Sequence, residues 1–96
     1  MRQLIIKKRA ENAIYRVAQY VASQNFPATG EKFINEVIDF CIERSFIDVK
    51  YPLCKNRVLA RHDYSCMVYK KKWVVVFKCT DEQFIVYRFV YGPMLK

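Results

Sequence analysis

Glycine and proline are scarce in this chain, with two and three residues among 96. Together with 53% hydrophobic and 16% aromatic residues, that scarcity excludes a disordered basic tail and indicates one packed domain. No apolar run approaches the ~20 residues that a bilayer-spanning helix needs. Residues 1–8 are basic and β-branched and lack the apolar core and small-residue cleavage site of a secretory leader. The expectation is therefore a cytoplasmic protein without membrane association. There is no internal repeat and no low-complexity segment.

The four cysteines, Cys41, Cys54, Cys66 and Cys79, include no C-x-x-C pair, so neither zinc nor another metal or cofactor is implied. A single histidine, His62, leaves no constellation for a catalytic thiol. Four free thiols, buried or partly buried, are expected.

Acidic residues are few after residue 49, three Asp or Glu against ten Lys or Arg, whereas residues 1–49 hold six against seven. Nearly all of the net charge of +8 thus falls on the second half. Such a concentrated field attracts phosphates or an acidic partner.

The hydrophobic period divides the chain similarly. Gln3–Lys7 reads as a short first strand. Ala10, Ile14, Val17, Ala18 and Val21 recur at helical spacing, with Arg16 and Gln19 on the other face. Ser23-Gln24-Asn25 stops this helix, and Asn25-Phe26-Pro27 caps and opens a second, running to about Ser45 with an apolar stripe of Phe33, Ile34, Val37, Ile38 and Cys41. The two form an αα-hairpin. A loop of about ten residues, Ile47–Asn56, follows. Then the period becomes two: Arg57–Arg61 as a candidate edge strand, Ser65–Lys70, Trp73–Thr80 and Phe84–Tyr91, an antiparallel meander. The expected class is α+β, in the order β-α-α-β-β-β, with the hairpin packed on one face of a mainly antiparallel curved sheet as a single domain over residues 1–96.

Lys8–Val21 (KRAENAIYRVAQYV), Ala28–Val37 (ATGEKFINEV) and the meander of Arg61–Tyr69, Trp73–Lys78 and Phe84–Gly92 resemble the two helices and three strands of the RelE/ParE superfamily of bacterial toxins. The resemblance implies a toxin of a type II toxin–antitoxin pair, held by an acidic, partly disordered antitoxin, with homo-oligomers possible. RelE-like members cleave mRNA, usually on the ribosome and without a metal; ParE-like members poison DNA gyrase. Many members carry a His near the position of Tyr91 followed by further basic residues. This chain reads Tyr91-Gly92-Pro93-Met94-Leu95-Lys96, a departure that favours the ParE-like branch, or a member whose activity has decayed, over the endonuclease. A small basic module binding RNA or protein is the reading outside the family.

Metal-free RNA cleavage requires a proton acceptor for the 2′-OH, a cation at phosphorus and a proton donor for the leaving oxygen. The resemblance places candidates for these roles at Arg61, His62, Arg88 and Tyr91. Arg88 interrupts the apolar strand FIVYRFVY, and strict alternation puts it on the face of Phe84, Val86 and Val90. A charge there is either paired, for instance with Asp39 or Glu43, or faces a groove. Lys55, Arg57, Lys70, Lys71 and Lys72 are candidates for target or nucleic-acid contact, with Trp73 able to stack on a base. The lysine triplet reads rather as a solvated hairpin turn, with Lys discouraging edge pairing.

Overall fold

A computed structural model describes residues 2–47 and 51–94 of the chain. Part of the expected long loop, residues 48–50, and Lys96 lie outside the described residues. The elements are β1 (Gln3–Ile6), α1 (Lys8–Gln24), α2 (Pro27–Phe46), α3 (Arg57–Arg61), β2 (Ser65–Tyr69), β3 (Trp73–Cys79) and β4 (Gln83–Tyr91), followed by a 3-10 turn at Gly92–Met94. The four strands form one sheet in the order β1-β4-β3-β2. β1 runs parallel to β4; β2–β3 and β3–β4 are antiparallel. The chain is therefore α+β, a helical hairpin with a four-stranded mixed sheet.

Asn25 acts on the helix before it, not the one after. Its backbone N–H and its side-chain amide both donate to the Val21 carbonyl at 3.1 Å, closing α1. The residue ahead of α2 is Phe26, with no side-chain cap, and Pro27 opens the helix at a position where its missing N–H costs nothing. The hairpin closes tightly at Gly30. A β-carbon there would lie 2.6 Å from the Ala18 carbonyl oxygen and 3.0 Å from the Ala22 methyl, so only glycine permits this approach.

One face of the sheet takes the hairpin. Val75, Phe77, Phe84 and Val86 are fully buried there with Val37 and Cys41 of α2 and Ala10 of α1. The Phe77 and Phe84 rings stack at 4.5 Å, and Tyr51 sets its ring edge-on to both. Each buried phenylalanine contributes roughly 1.5–3 kcal/mol. Arg2 ties the ends of the layers together: its Nε donates to the Thr80 carbonyl and its Nη1 to the Ile47 carbonyl.

Strict alternation fails in β4. Phe77 pairs with Val86 but Val76 pairs with Arg88, so Tyr87 is an extra residue and the strand bulges there. Phe89 consequently joins Phe84 and Val86 in the hairpin-side core. Arg88, opposite Val76, is turned away from that core; the expected grouping of Arg88 with Phe84 and Val86 is corrected by the bulge.

Two further expectations are corrected on the second face. Arg57–Arg61 is a helix, not an edge strand. The side chain of Asn56 accepts hydrogen bonds from the N–H groups of Val58 and Leu59 at 3.0 and 3.1 Å, a side-chain N-cap that starts α3. Leu59 packs with Val76, Val74, Tyr64, Cys54 and Cys66 in a second, smaller cluster. Nor are the four cysteines all free: Cys54 and Cys66 form a disulfide, leaving Cys41 and Cys79 as thiols. The spacing of 12 residues gave no sign of it, because the contact depends on α3 folding the loop back over β2.

Candidate functional site

The basic residues gather in three places, not on one open face. The first is the second face of the sheet. Lys55, Arg57, Arg61 and His62 lie on the segment that the disulfide and Leu59 hold against it, with α3 ending at His62. Beside them stands a ladder of rings and cations. The Tyr64 and Tyr87 rings meet edge to face at 5.2 Å. The Lys78 ammonium sits 4.7 Å from the Tyr64 ring and 5.8 Å from the Tyr87 ring, and Lys7 lies 5.9 Å from Tyr87 on its other flank. Such contacts hold an ammonium in place while leaving its donors open to an anion. Lys7, Tyr64, Lys78 and Tyr87 were not singled out from the sequence. Only the register of β3 against β4 and the bulge at Tyr87 bring them together.

The second place is the β2–β3 hairpin. Lys70, Lys71 and Lys72 do form a turn, as expected, and they also line a groove. Lys70 and Lys71 adopt left-handed backbone conformations, with φ of 52° and 66°, a region that costs a residue with a side chain about 1–2 kcal/mol. Two contacts hold the turn there. The Gly92 N–H donates to the Lys72 carbonyl at 2.6 Å, where a β-carbon on Gly92 would be 3.0 Å from that oxygen. Lys70 donates to Glu36 of α2. This bond lowers the Glu36 carboxyl below its usual range and raises the Lys70 ammonium above its own. Lys71 and Lys72 make no ion pair among the described residues. The groove, about 770 Å³, is walled by these lysines with Tyr20, Phe33, Trp73 and Tyr91. Trp73 stacks on Phe89 at 5.2 Å and meets Tyr91 edge-on at 5.5 Å. Tyr20 is 66% exposed and Tyr91 44%, so both offer ring faces to a ligand.

The third place holds Arg88. The bulge directs it to the seam between β4 and α1, where a concavity of about 260 Å³ is lined by Arg9, Ala13, Arg16, Arg88, Phe89 and Val90. The Arg88 side chain makes no hydrogen bond or ion pair among the described residues, so it lines a groove and is not paired with Asp39 or Glu43.

The structure thus joins Lys70, Lys71, Lys72, Trp73 and Tyr91 in one groove and keeps Arg61, His62, Lys55 and Arg57 on the opposite face. Arg61, His62, Arg88 and Tyr91 do not form a single hydrogen-bonded set. This arrangement suits anion binding and ring stacking; its proton-transferring groups are on separate sides of the sheet. Burial pushes the Cys41 thiol up to about 11, which makes it an inert core residue. Among the described residues no cluster of His, Cys, Asp and Glu suits a metal ion, and no helix is long and apolar enough to cross a membrane. No protein-family model matches the chain, and no curated protein is significantly similar to it.

Proposed function

We propose that this chain is the toxin of a type II toxin–antitoxin pair, ParE-like in branch, neutralised by an acidic antitoxin and acting on a macromolecular target in the cytoplasm. The observation that carries the reading is the way the toxin-like stretches fall on the helical hairpin and the strands of the meander. Lys8–Val21 lies within α1 and Ala28–Val37 within α2; Arg61–Tyr69 spans the end of α3, a turn and β2, and Trp73–Lys78 and Phe84–Gly92 fall on β3 and β4. The excess of cations in the second half supplies the field an acidic antitoxin would neutralise.

The choice of branch rests on the separation of His62 from Tyr91. Gyrase poisoning asks for a binding surface; RNA cleavage asks for an acceptor and a donor of protons within hydrogen-bond reach of one phosphate. Lys71, Lys72, Trp73, Tyr91 and the Lys7–Tyr87–Lys78–Tyr64 ladder meet the first demand.

Expression of the chain alone, and together with the product of any adjacent small acidic reading frame, tests the proposal. Growth arrest relieved by that frame is the expected result, accompanied by DNA breaks and a damage response. Transcript ends accumulating without DNA damage would transfer the protein to the RelE-like endonucleases. Unimpaired growth would remove the toxin reading and leave a basic RNA- or protein-binding module. Arg88→Ala and Arg61→Ala are expected to relieve the arrest with the fold retained. The cytoplasmic location has its own check. Reducing pools there oppose disulfides, so alkylation trapping should find Cys54 and Cys66 largely as thiols in intact cells.

A further inference from the structure

We infer that the seam between α1 and the outer half of β4 is a binding site for a phosphate group, carried on a nucleotide or on the end of a nucleic-acid strand. The inference starts from how the sheet edge is finished. β1 pairs with β4 only as far as Val86, and the Lys7 N–H closes the ladder on the Val86 carbonyl. Beyond that point the described residues place no strand beside β4 on this side, while α1 packs against β4. A concavity remains between the two.

Three guanidinium groups edge that concavity. Arg9, Ala13 and Arg16 stand at i, i+4 and i+7, one face of the helix, and the small Ala13 leaves the space between the two arginines open. Arg88 enters from β4 because of the bulge at Tyr87. Phe89, which is buried, and the half-buried Val90 complete the lining, apolar neighbours that strengthen charge interactions beside them. No carboxylate lines the site. Glu11, the sole acid of α1, is engaged by Lys8 at 3.4 Å. Arg9, Arg16 and Arg88 have no side-chain hydrogen bond or ion pair among the described residues. Three uncompensated cations around one hollow call for a counter-anion.

Geometry selects phosphate over carboxylate. A carboxylate presents two oxygens in one plane, which suits a single guanidinium fork; a terminal phosphate presents three oxygens that forks can reach from several directions. Size selects a group over a whole molecule. The volume of about 260 Å³ is below the ~300–1,000 Å³ of pockets that enclose an entire drug-sized ligand, so whatever carries the phosphate lies outside. The next residues along both elements, Val17, Tyr20 and Val21 of α1 and Tyr91 of β4, wall the larger aromatic groove that contains Trp73. A nucleobase on that phosphate would find ring faces there. The site stands whether or not the chain is a toxin.

The test uses the purified full chain, with Trp73 fluorescence or calorimetry as readout. The probes are a tetranucleotide with and without a 5′-phosphate, a nucleoside 5′-diphosphate, and an oligoglutamate competitor, all at one salt concentration. The phosphorylated strand should bind at least about tenfold more tightly than its unphosphorylated twin, the effect expected of a charge-assisted contact. Arg16→Gln, at an exposed position, should erase that difference, and Arg88→Gln should do the same. Lys8→Gln, outside the cavity, should preserve it. A diphosphate that matches the strand would name a free nucleotide as the ligand, and one that does not would name a strand end; both uphold the site. Equal binding of the two strands, a difference that survives in Arg16→Gln, or stronger displacement by oligoglutamate than by the diphosphate would overturn it.

Discussion

The two faces of the sheet are held by different means. The hairpin side is a packed core in which Phe77, Phe84, Val75, Val86, Val37 and Cys41 are fully buried and most of the protein's large side chains meet. Among the described residues the other side has one five-residue helix, a small cluster around the buried Leu59 and Val76, and a cross-link. Apolar burial suffices for the first because two long helices supply it. The second carries Lys55, Arg57, Arg61 and Lys78, and cations resist burial. In the oxidised protein a covalent tie does there what packing does opposite, leaving the surface free to stay charged. The difference suggests a division of labour, with stability on one face and recognition on the other and along its edge.

The largest test of that division is Phe77→Ala. It removes the ring stacked on Phe84 and touched by Tyr51, and should lower the unfolding free energy by about 3–5 kcal/mol, measured by urea denaturation. Next is Cys54→Ser, which opens the cross-link. A loop of this length is worth about 3 kcal/mol in closure entropy, and the loss should carry a local signature: amide exchange should quicken at Leu59 and Ala60 while Val75 and Phe77 stay protected. Equal acceleration on both faces would show that the second face is packed as firmly as the first.

Much of this contrast was legible in the sequence. Apolar residues at helical and then alternating spacing gave the hairpin, the succession of the strands, the hairpin-side core residues Val37 and Cys41, and a β3 covered on both faces. What escaped was set by single residues acting over distance. Asn56 accepts two backbone N–H groups and turns Arg57–Arg61 into a helix, while the same five residues read as a strand when period alone is weighed. The disulfide follows from the reversal of the chain around that helix, where Leu53 bridges Ser65 and the Cys54 N–H donates to the Tyr64 carbonyl. The bulge at Tyr87 shifts the alternation by one and moves Arg88 from the expected face to the α1 seam. The candidate site was legible as a set of cations and aromatics but not as a geometry. Lys70, Lys71, Lys72, Trp73 and Tyr91 do share a groove, whereas the partners of Arg88 are Arg9 and Arg16, which carried no signal beyond their spacing around Ala13.

The hairpin turn sharpens the comparison from its edge. Lys70 and Lys71 occupy left-handed positions that glycine or asparagine fills at less cost. If the turn existed for stability alone, lysine would be a poor choice. Lys71→Gly should therefore raise the unfolding free energy by about 1 kcal/mol while weakening the binding of any polyanion to the groove. A neutral or destabilising outcome would mean that Lys71 is unstrained, and the case for its retention as a binding residue would lapse.

The smallest effect concerns Glu36 and Lys70, which join the hairpin layer to that turn. Their hydrogen bond holds the Glu36 carboxyl below its ordinary value of 4.5 and the Lys70 ammonium above its ordinary 10.5. A carboxyl that is more acidic when folded contributes stability that is present above its unfolded value and disappears as pH falls through the folded one. An ammonium that is less acidic when folded contributes stability that is present below its unfolded value and disappears as pH rises through the folded one. The pair should therefore give a plateau across neutral pH with a shallow fall on the acid side of 4.5 and another on the alkaline side of 10.5. Both partners are partly exposed, so the amplitude should be small and should shrink in high salt. Glu36→Gln should remove this pair's share of the acid fall and leave the core's protection unchanged. An acid slope identical in wild type and variant would show that the turn is held by Gly92 and its own backbone, with the ion pair as a bystander.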